Sequence, residues 1–170
     1  MGLDAIFKWL YESAPGIAIR ENDSLFPWLE SFHVLAITLV VGSIAIVDLR
    51  LLGVASRDRS VSQLTRDVLP CTWVAFIVAA LTGGLLFISN APTYAYNFYF
   101  QIKILLLALA GANMLLFHFF GSRGVDNWGA SPGTTPLQAR IAGAASLILW
   151  VGVVAFGRWI GFNLQPHAAG

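Results

Sequence analysis

The fold of this chain is decided by residues 27–49, which read PWLESFHVLAITLVVGSIAIVDL. Apart from Glu30, His33 and Asp48 the stretch has no ionisable side chain, and about 20 apolar residues are enough for a helix to cross a bilayer. Lipid offers the backbone no hydrogen-bond partner, so such a stretch is stable there only as a helix. We therefore predict that residues 27–49 form a membrane-spanning helix.

Three further stretches repeat this pattern, with apolar cores at 73–88, 104–120 and 141–157. We therefore predict an all-α membrane protein, a four-transmembrane-helix bundle with an N-terminal amphipathic interfacial helix. The flanking residues bring each core to the length of a bilayer, which gives spans at about 27–49, 68–90, 98–120 and 140–162. The transmembrane domain then covers 27–163, between an outer-face segment at 1–26 and a tail at 164–170.

The composition excludes several classes of protein. Of the 170 residues 57% are hydrophobic and 11% are charged, whereas a soluble domain is about 45–50% apolar and about 25% charged. Cys71 is the single cysteine, so no disulfide can form within the chain. A formal net charge of +1 provides no field that would attract nucleic acid. The expected partners are the lipid bilayer and either further copies of the chain or a larger membrane complex.

The first residues predict a short amphipathic helix. Asp4, Lys8 and Glu12 lie between apolar side chains that recur at helical spacing, namely Leu3, Ile6, Phe7, Leu10 and Tyr11. Trp9 is an aromatic residue of the kind that anchors a helix at the membrane surface. Pro15-Gly16 is expected to end this helix.

The basic residues predict the orientation of the bundle. Six of the ten Lys and Arg residues fall in the loops that join spans one to two and three to four, namely Arg50, Arg57, Arg59, Arg66, Arg123 and Arg140. Loops rich in Lys and Arg remain in the cytoplasm. We therefore expect both termini on the outer side of the membrane.

Four ionisable side chains are expected at one depth near the outer end of the bundle. Glu30 and His33 share a face of span one, and His33 lies about 9 Å below the outer end by the helical rise. Lys103 begins span three and Arg158 ends span four. Ionisable groups within spans are costly, so these four residues are the candidate functional site.

This layer has three interpretations. His33 is a candidate axial ligand of haem b iron, with Lys103 and Arg158 pairing with the propionates. Alternatively, His33 and Glu30 exchange protons with a bound quinone, and the two cations polarise its carbonyl. In the third interpretation no cofactor binds, and the layer is a network of ion pairs and hydrogen bonds that holds the outer end together.

A haem bound by two histidines of this chain is disfavoured. His33 and His118 lie near opposite ends of their spans, roughly 15–20 Å apart along the membrane normal by the helical rise. His118 and Cys71, with Met114 nearby, are ligand types that suit copper and form a weaker metal candidate at the inner side. The other inner-side charges are expected to pair around a short loop, namely Asp48, Arg50, Arg66 and Asp67.

Several motifs carry a resemblance, namely 26–35 (FPWLESFHVL), 40–43 (VVGS), 47–53 (VDLRLLG), 69–70 with Trp73, 113–118 and 157–158. They resemble a family of bacterial four-span inner-membrane proteins known only as a domain of unknown function. The resemblance implies a bacterial inner membrane, with both termini then periplasmic. It marks as motif positions Glu30, His33, Asp48, Arg50, His118 and Arg158. A looser similarity, by helix count and histidines, is to b561-type membrane cytochromes and copper-resistance membrane proteins.

The function that these features favour is that of a small integral membrane subunit for electron transfer, binding haem b or quinone near its outer face. A non-catalytic structural or assembly subunit of a larger complex is the alternative, with no cofactor. A small-solute or metal transporter is a second alternative, although the spans have no charge at their middle and no proline at their centre. The sequence contains no grouping that predicts hydrolytic catalysis and no nucleotide loop.

The predicted orientation is tested by reporter fusions after Gly170. A reporter that is active only in the periplasm should be active there, because the two Arg-containing loops remain cytoplasmic. A reporter that is active only in the cytoplasm serves as the matched control and should be silent. The opposite pattern would reverse the orientation and exchange the two polar ends.

Overall fold

The computed structural model describes residues 2–55, 59–117, 119 and 135–163. This part of the chain is helical, without strands, and contains seven helices. In chain order they are α1 (Leu3–Tyr11), α2 (Ala14–Glu21), α3 (Leu25–Leu51), α4 (Val61–Ser89), α5 (Ala91–Ala95), α6 (Phe98–Leu116) and α7 (Leu137–Asn163). The prediction of an all-α bundle is confirmed.

Helices α3, α4, α6 and α7 are each long and apolar enough to cross a membrane. The chain is therefore a multi-pass membrane protein, and the part of it that the structure describes contains four spans. Helix α4 begins at Val61, well before the expected span, because the Ser60 side chain accepts a hydrogen bond from the Gln63 N–H at 3.2 Å and caps it. The first turns of α4 are polar and do not stand out in hydropathy. A prediction from the apolar core alone therefore starts the helix too late.

The four spans are antiparallel neighbours in the order α4, α3, α7, α6. At one end of the bundle Tyr99 of α6 stacks with Phe156 and Trp159 of α7, at centroid distances of 6.2 and 6.4 Å. At the other end the Asn113 amide of α6 donates to the Ala142 carbonyl of α7 at 3.0 Å. We call these the α5 end and the loop end, because α5 lies at the first and the α3–α4 loop at the second.

Apolar side chains cover the outside of the bundle, and small residues lie inside it. Ile148 of α7 is 72% exposed, and many other large apolar side chains of the four spans are exposed as well. Ala36, Ala75 and Ala110 are buried between helices. This distribution is typical of helices that pack in lipid, where close backbone approach takes the place of a hydrophobic driving force.

The N-terminal helices pack over the α5 end. The Phe7 ring of α1 makes edge contacts with Phe87 and Tyr96, each at 6.2 Å between centroids. The Tyr96 hydroxyl donates a hydrogen bond to the Asp4 carboxylate, and this bond raises the pKa of Tyr96 above its ordinary value. Helix α1 is thus attached to the ends of α4 and α5 by aromatic and polar contacts.

The expected role of Pro15-Gly16 as the end of the first helix is wrong. Helix α1 ends at Tyr11, and Pro15-Gly16 lies in the first turn of α2. Ser13 caps α2, since its hydroxyl accepts a hydrogen bond from the Gly16 N–H at 3.4 Å. Proline suits a first turn because its missing N–H would have no intrahelical acceptor there.

Arg20 of α2 forms hydrogen bonds with both α1 and α4. Its Nη1 donates to the Tyr11 carbonyl at 2.7 Å and to the Ser89 carbonyl at 2.9 Å. Its guanidinium carbon lies 3.7 Å from the centroid of the Tyr11 ring, which is a cation–π contact. One side chain therefore satisfies terminal carbonyls of two helices and stacks on the first of them.

Arg20→Ala should loosen the N-terminal helices without preventing membrane insertion. Each charged hydrogen bond that is lost contributes about 1.5–3 kcal/mol, so the thermal midpoint in detergent should fall clearly. Lys8→Ala is the matched control, because its ion pair with Glu12 is exposed and contributes about 0–1 kcal/mol. Equal midpoints for the two variants would contradict the role given to Arg20.

Candidate functional site

His33 is held by the backbone of α4. Its Nδ1 lies 3.0 Å from the Ala79 carbonyl oxygen and 3.0 Å from the Thr82 hydroxyl oxygen. The Thr82 hydroxyl donates to the Val78 carbonyl at 2.7 Å, so towards His33 it acts as an acceptor. Because a carbonyl oxygen only accepts, Nδ1 carries the hydrogen, and Nε2 is the ring nitrogen with a lone pair.

The imidazole of His33 lies directly against Gly83 of α4. A Cβ atom at position 83 would be 2.8 Å from Cε1 of His33 and 3.6 Å from Nε2. Contacts below 3 Å are not sustained by carbon atoms, so the ring occupies space that only glycine leaves open. The side chain is half-buried and fixed on one edge by α4.

Lys103 reaches the same region from α6. Its Cε and Nζ lie 3.5 Å from the position that a Cβ atom of Gly157 in α7 would take. Its charge is close enough to act on the His33 imidazole. Among the described residues the ammonium has no hydrogen bond or ion pair. The Lys103 ammonium therefore lies beside a glycine of α7, and its positive charge acts on the imidazole of His33.

Glu30 and Arg158 lie at the rim of this region. Both side chains are exposed. Burial raises the pKa of Tyr94 in α5, and the charge of Glu30 raises it further, so this carboxylate lies towards α5. The Cζ atom of Arg158 lies 5.1 Å from the centroid of the Phe162 ring. Neither residue forms a hydrogen bond or ion pair with His33 or Lys103 within the part of the chain that is described.

The copper candidate at the loop end is not assembled by the described residues. Cys71 is exposed, and so is Met114. His118 lies outside the described residues. Across the described ranges, no group of three or more His, Cys, Asp and Glu side chains is placed to hold a metal ion.

Three residues of the site were not identified from the sequence. Ala79 supplies the carbonyl that orients His33, Thr82 supplies the second acceptor, and Gly157 leaves room for Lys103. A signal for them exists, because Ala75, Ala79 and Gly83 recur at four-residue spacing and mark the face of α4 that packs against another helix. That pattern indicates packing but does not show which helix is the neighbour.

A family model described as "Family of unknown function (DUF6644)" matches residues 7–163. No curated protein matches the chain, and no solved structure does. The match includes all four spans and most of the N-terminal segment. The chain therefore belongs to this family of unknown function.

Gly83→Ala should destabilise the bundle because the new methyl group must displace an imidazole that two hydrogen bonds hold in place. Overpacking of this kind costs about 1–3 kcal/mol. Gly84→Ala is the matched control, since nothing lies within 4 Å of its Cβ position, and its stability should stay within about 1 kcal/mol of wild type.

Thermal midpoints in detergent measure both effects. In a His33→Ala background the penalty of Gly83→Ala should largely disappear, because the two residues are in contact. An undiminished penalty in that background would show that the imidazole does not depend on this glycine.

Proposed function

We propose that this chain is a small electron-transfer subunit of the membrane in which His33 and Lys103 bind the head group of a quinone. The observation that carries the proposal is the hydrogen bond from Nδ1 of His33 to the Ala79 carbonyl at 3.0 Å. It commits Nδ1 to α4 and leaves the Nε2 lone pair for a ligand, in a region where the Lys103 charge also acts.

The two side chains offer the complementary groups that such a head group needs. A quinone supplies coupled electron and proton transfer at its two carbonyl oxygens. The Lys103 ammonium is a donor for one oxygen, and Nε2 of His33 accepts a proton from a hydroxyl group. Glu30 and Arg158 at the rim are exposed.

Haem b is the second candidate, and one observation favours it. Histidines that ligate metals usually donate their other ring N–H to a carboxylate or a backbone carbonyl, and His33 does so. One axial ligand is thus suitably oriented, and Lys103 is a cation for a propionate. The second axial ligand would be missing or would come from a partner chain, and the described residues contain no histidine besides His33.

The cellular setting belongs to the same proposal. We place the bundle in a bacterial inner membrane with its α5 end towards the periplasm. The exposed apolar faces of the four spans would be shared with copies of the chain or with a larger redox complex. A purely structural subunit is the competing hypothesis, in which His33 and Lys103 only join helices.

Quinone content and absorption spectra of the purified protein distinguish these hypotheses. Wild-type protein in mild detergent should retain extractable quinone, and Lys103→Met should lower the retained amount. Loss of one charged hydrogen bond of about 1.5–3 kcal/mol weakens binding by roughly tenfold or more. His33→Ala should have a similar effect, because it removes the proton acceptor.

Lys8→Met is the control, since Lys8 is an exposed lysine of α1. An absorption band that sharpens on reduction with dithionite and disappears in His33→Ala would show that the ligand is haem and not a quinone. Protein that carries neither group and loses only thermal stability in the variants would support the structural subunit.

A further inference from the structure

The loop end contains a buried carboxyl group that the proposed site does not use. Asp48 of α3 is 6% exposed, and among the described residues its Oδ2 has no hydrogen-bond partner. Ser146 of α7 is the hydroxyl side chain that acts on this carboxyl group. A buried polar atom without a partner is rare in proteins, and within a membrane span it indicates a functional role.

The surrounding charges are directed elsewhere. On α3, Nε of Arg50 donates to the Arg59 carbonyl at 2.7 Å, and the Arg59 guanidinium lies 3.6 Å from the Asp67 carboxylate. Arg66 of α4 and Arg140 of α7 are exposed. Across the described residues none of these groups forms an ion pair with Asp48. Asp67 therefore pairs with Arg59, which was outside the expected set, and Asp48 forms no ion pair among the described residues.

In these surroundings the ionised form of the Asp48 side chain is energetically unfavourable, whereas the neutral carboxylic acid is tolerated. Burial of an isolated charge without a partner costs several kcal/mol, whereas a neutral carboxyl group with one hydrogen bond loses far less. The Ser146 hydroxyl is the neighbouring group suited to such a hydrogen bond, and Oδ2, which has no partner among the described residues, is the oxygen suited to carry a hydrogen.

Asp48 lies near the end of α3, close to the loop, but its side chain is buried. Leu51, one turn further along α3, forms an apolar cluster with Val61 and Ala139, and about 4.5 Å of helical rise separates it from Asp48. Gly143 of α7 brings the backbones together here, because a Cβ atom at that position would be 3.2 Å from the Asp48 carbonyl oxygen. One helical turn and one small cluster thus separate the carboxyl group from the loop.

We propose that Asp48 is a proton-binding site, whose carboxyl group holds a proton in the packed bundle and exchanges it with water when the Leu51 cluster opens. The site is independent of the proposed quinone site. His33 lies roughly 22 Å away along α3 by the helical rise, at the opposite end of the bundle. Its ligand is a single proton, because Ser146 and Asp48 supply too few oxygen atoms to enclose a metal cation.

The test is modification by dicyclohexylcarbodiimide, an apolar reagent, in membranes that contain the full chain. The acid adds across one C=N bond of the reagent, so that its proton moves to nitrogen and its oxygen bonds to carbon. Acyl transfer from oxygen to nitrogen then gives a stable N-acylurea that retains the whole reagent mass. Peptide mass spectrometry should locate this adduct on Asp48, and its yield should fall as the pH is raised.

Three variants provide the controls. Asp48→Asn should abolish the adduct, Asp67→Asn should leave it unchanged, and Ser146→Ala should retain it because the carboxyl group remains. Peptide mapping separates any adduct on Glu30, the other carboxyl group of α3, from that on Asp48. If Asp48→Asn fails to fold, the position of the adduct in wild type and in Ser146→Ala still shows whether Asp48 is the residue that reacts.

Two results would overturn the proposal. The first is an unmodified Asp48 at every pH from acid to neutral while the bundle is folded, which would show that no proton is held there. The second is protection of Asp48 by sodium ions at constant pH and ionic strength, which would make the site one for a metal cation.

Discussion

Helix α3 packs against α4 on one side and against α7 on the other, and both contacts are made at a glycine. Gly83 receives the His33 ring near the α5 end, and Gly143 receives the α3 backbone at Asp48 near the loop end. Lipid is as apolar as the helix surfaces, so no hydrophobic force drives the spans together, and close van der Waals approach must do so. The position of α3 between its neighbours, and with it both polar sites, depends on these two contacts.

Backbone carbonyls take the place of carboxylates as partners of the polar side chains. His33 donates to the carbonyl of Ala79 and Asn113 to that of Ala142, each joining two spans. Arg20 and Arg50 do the same at helix termini and in the loop. The ion pairs between described residues, by contrast, are exposed. This pattern suits a chain with few charges, since a buried ion pair would require two desolvated charges where a carbonyl requires one donor.

The two polar sites lie at opposite ends of α3 and differ in their chemistry. At the α5 end an imidazole with a lone pair lies in the field of an ammonium group. At the loop end a carboxyl group is buried, and among the described residues its Oδ2 has no hydrogen-bond partner. The stretch of α3 between them has no ionisable side chain. No row of ionisable side chains along α3 therefore joins the two sites.

The sequence by itself determined the fold class and predicted a depth for each polar group. Long apolar stretches can only be helices in lipid, and a rise of about 1.5 Å per residue converts position along a span into depth. His33 and Lys103 were therefore expected in one layer, and the positive charge of Lys103 acts on the His33 imidazole. Which helix each face meets was decided by the tertiary structure alone. Lipid-facing and helix-facing sides are both apolar, and the small residues that mark the packing face of α4 do not show which helix is its neighbour. For this reason Glu30 and Arg158 share the depth of His33 yet lie exposed at the rim, while Asp48 is buried against α7.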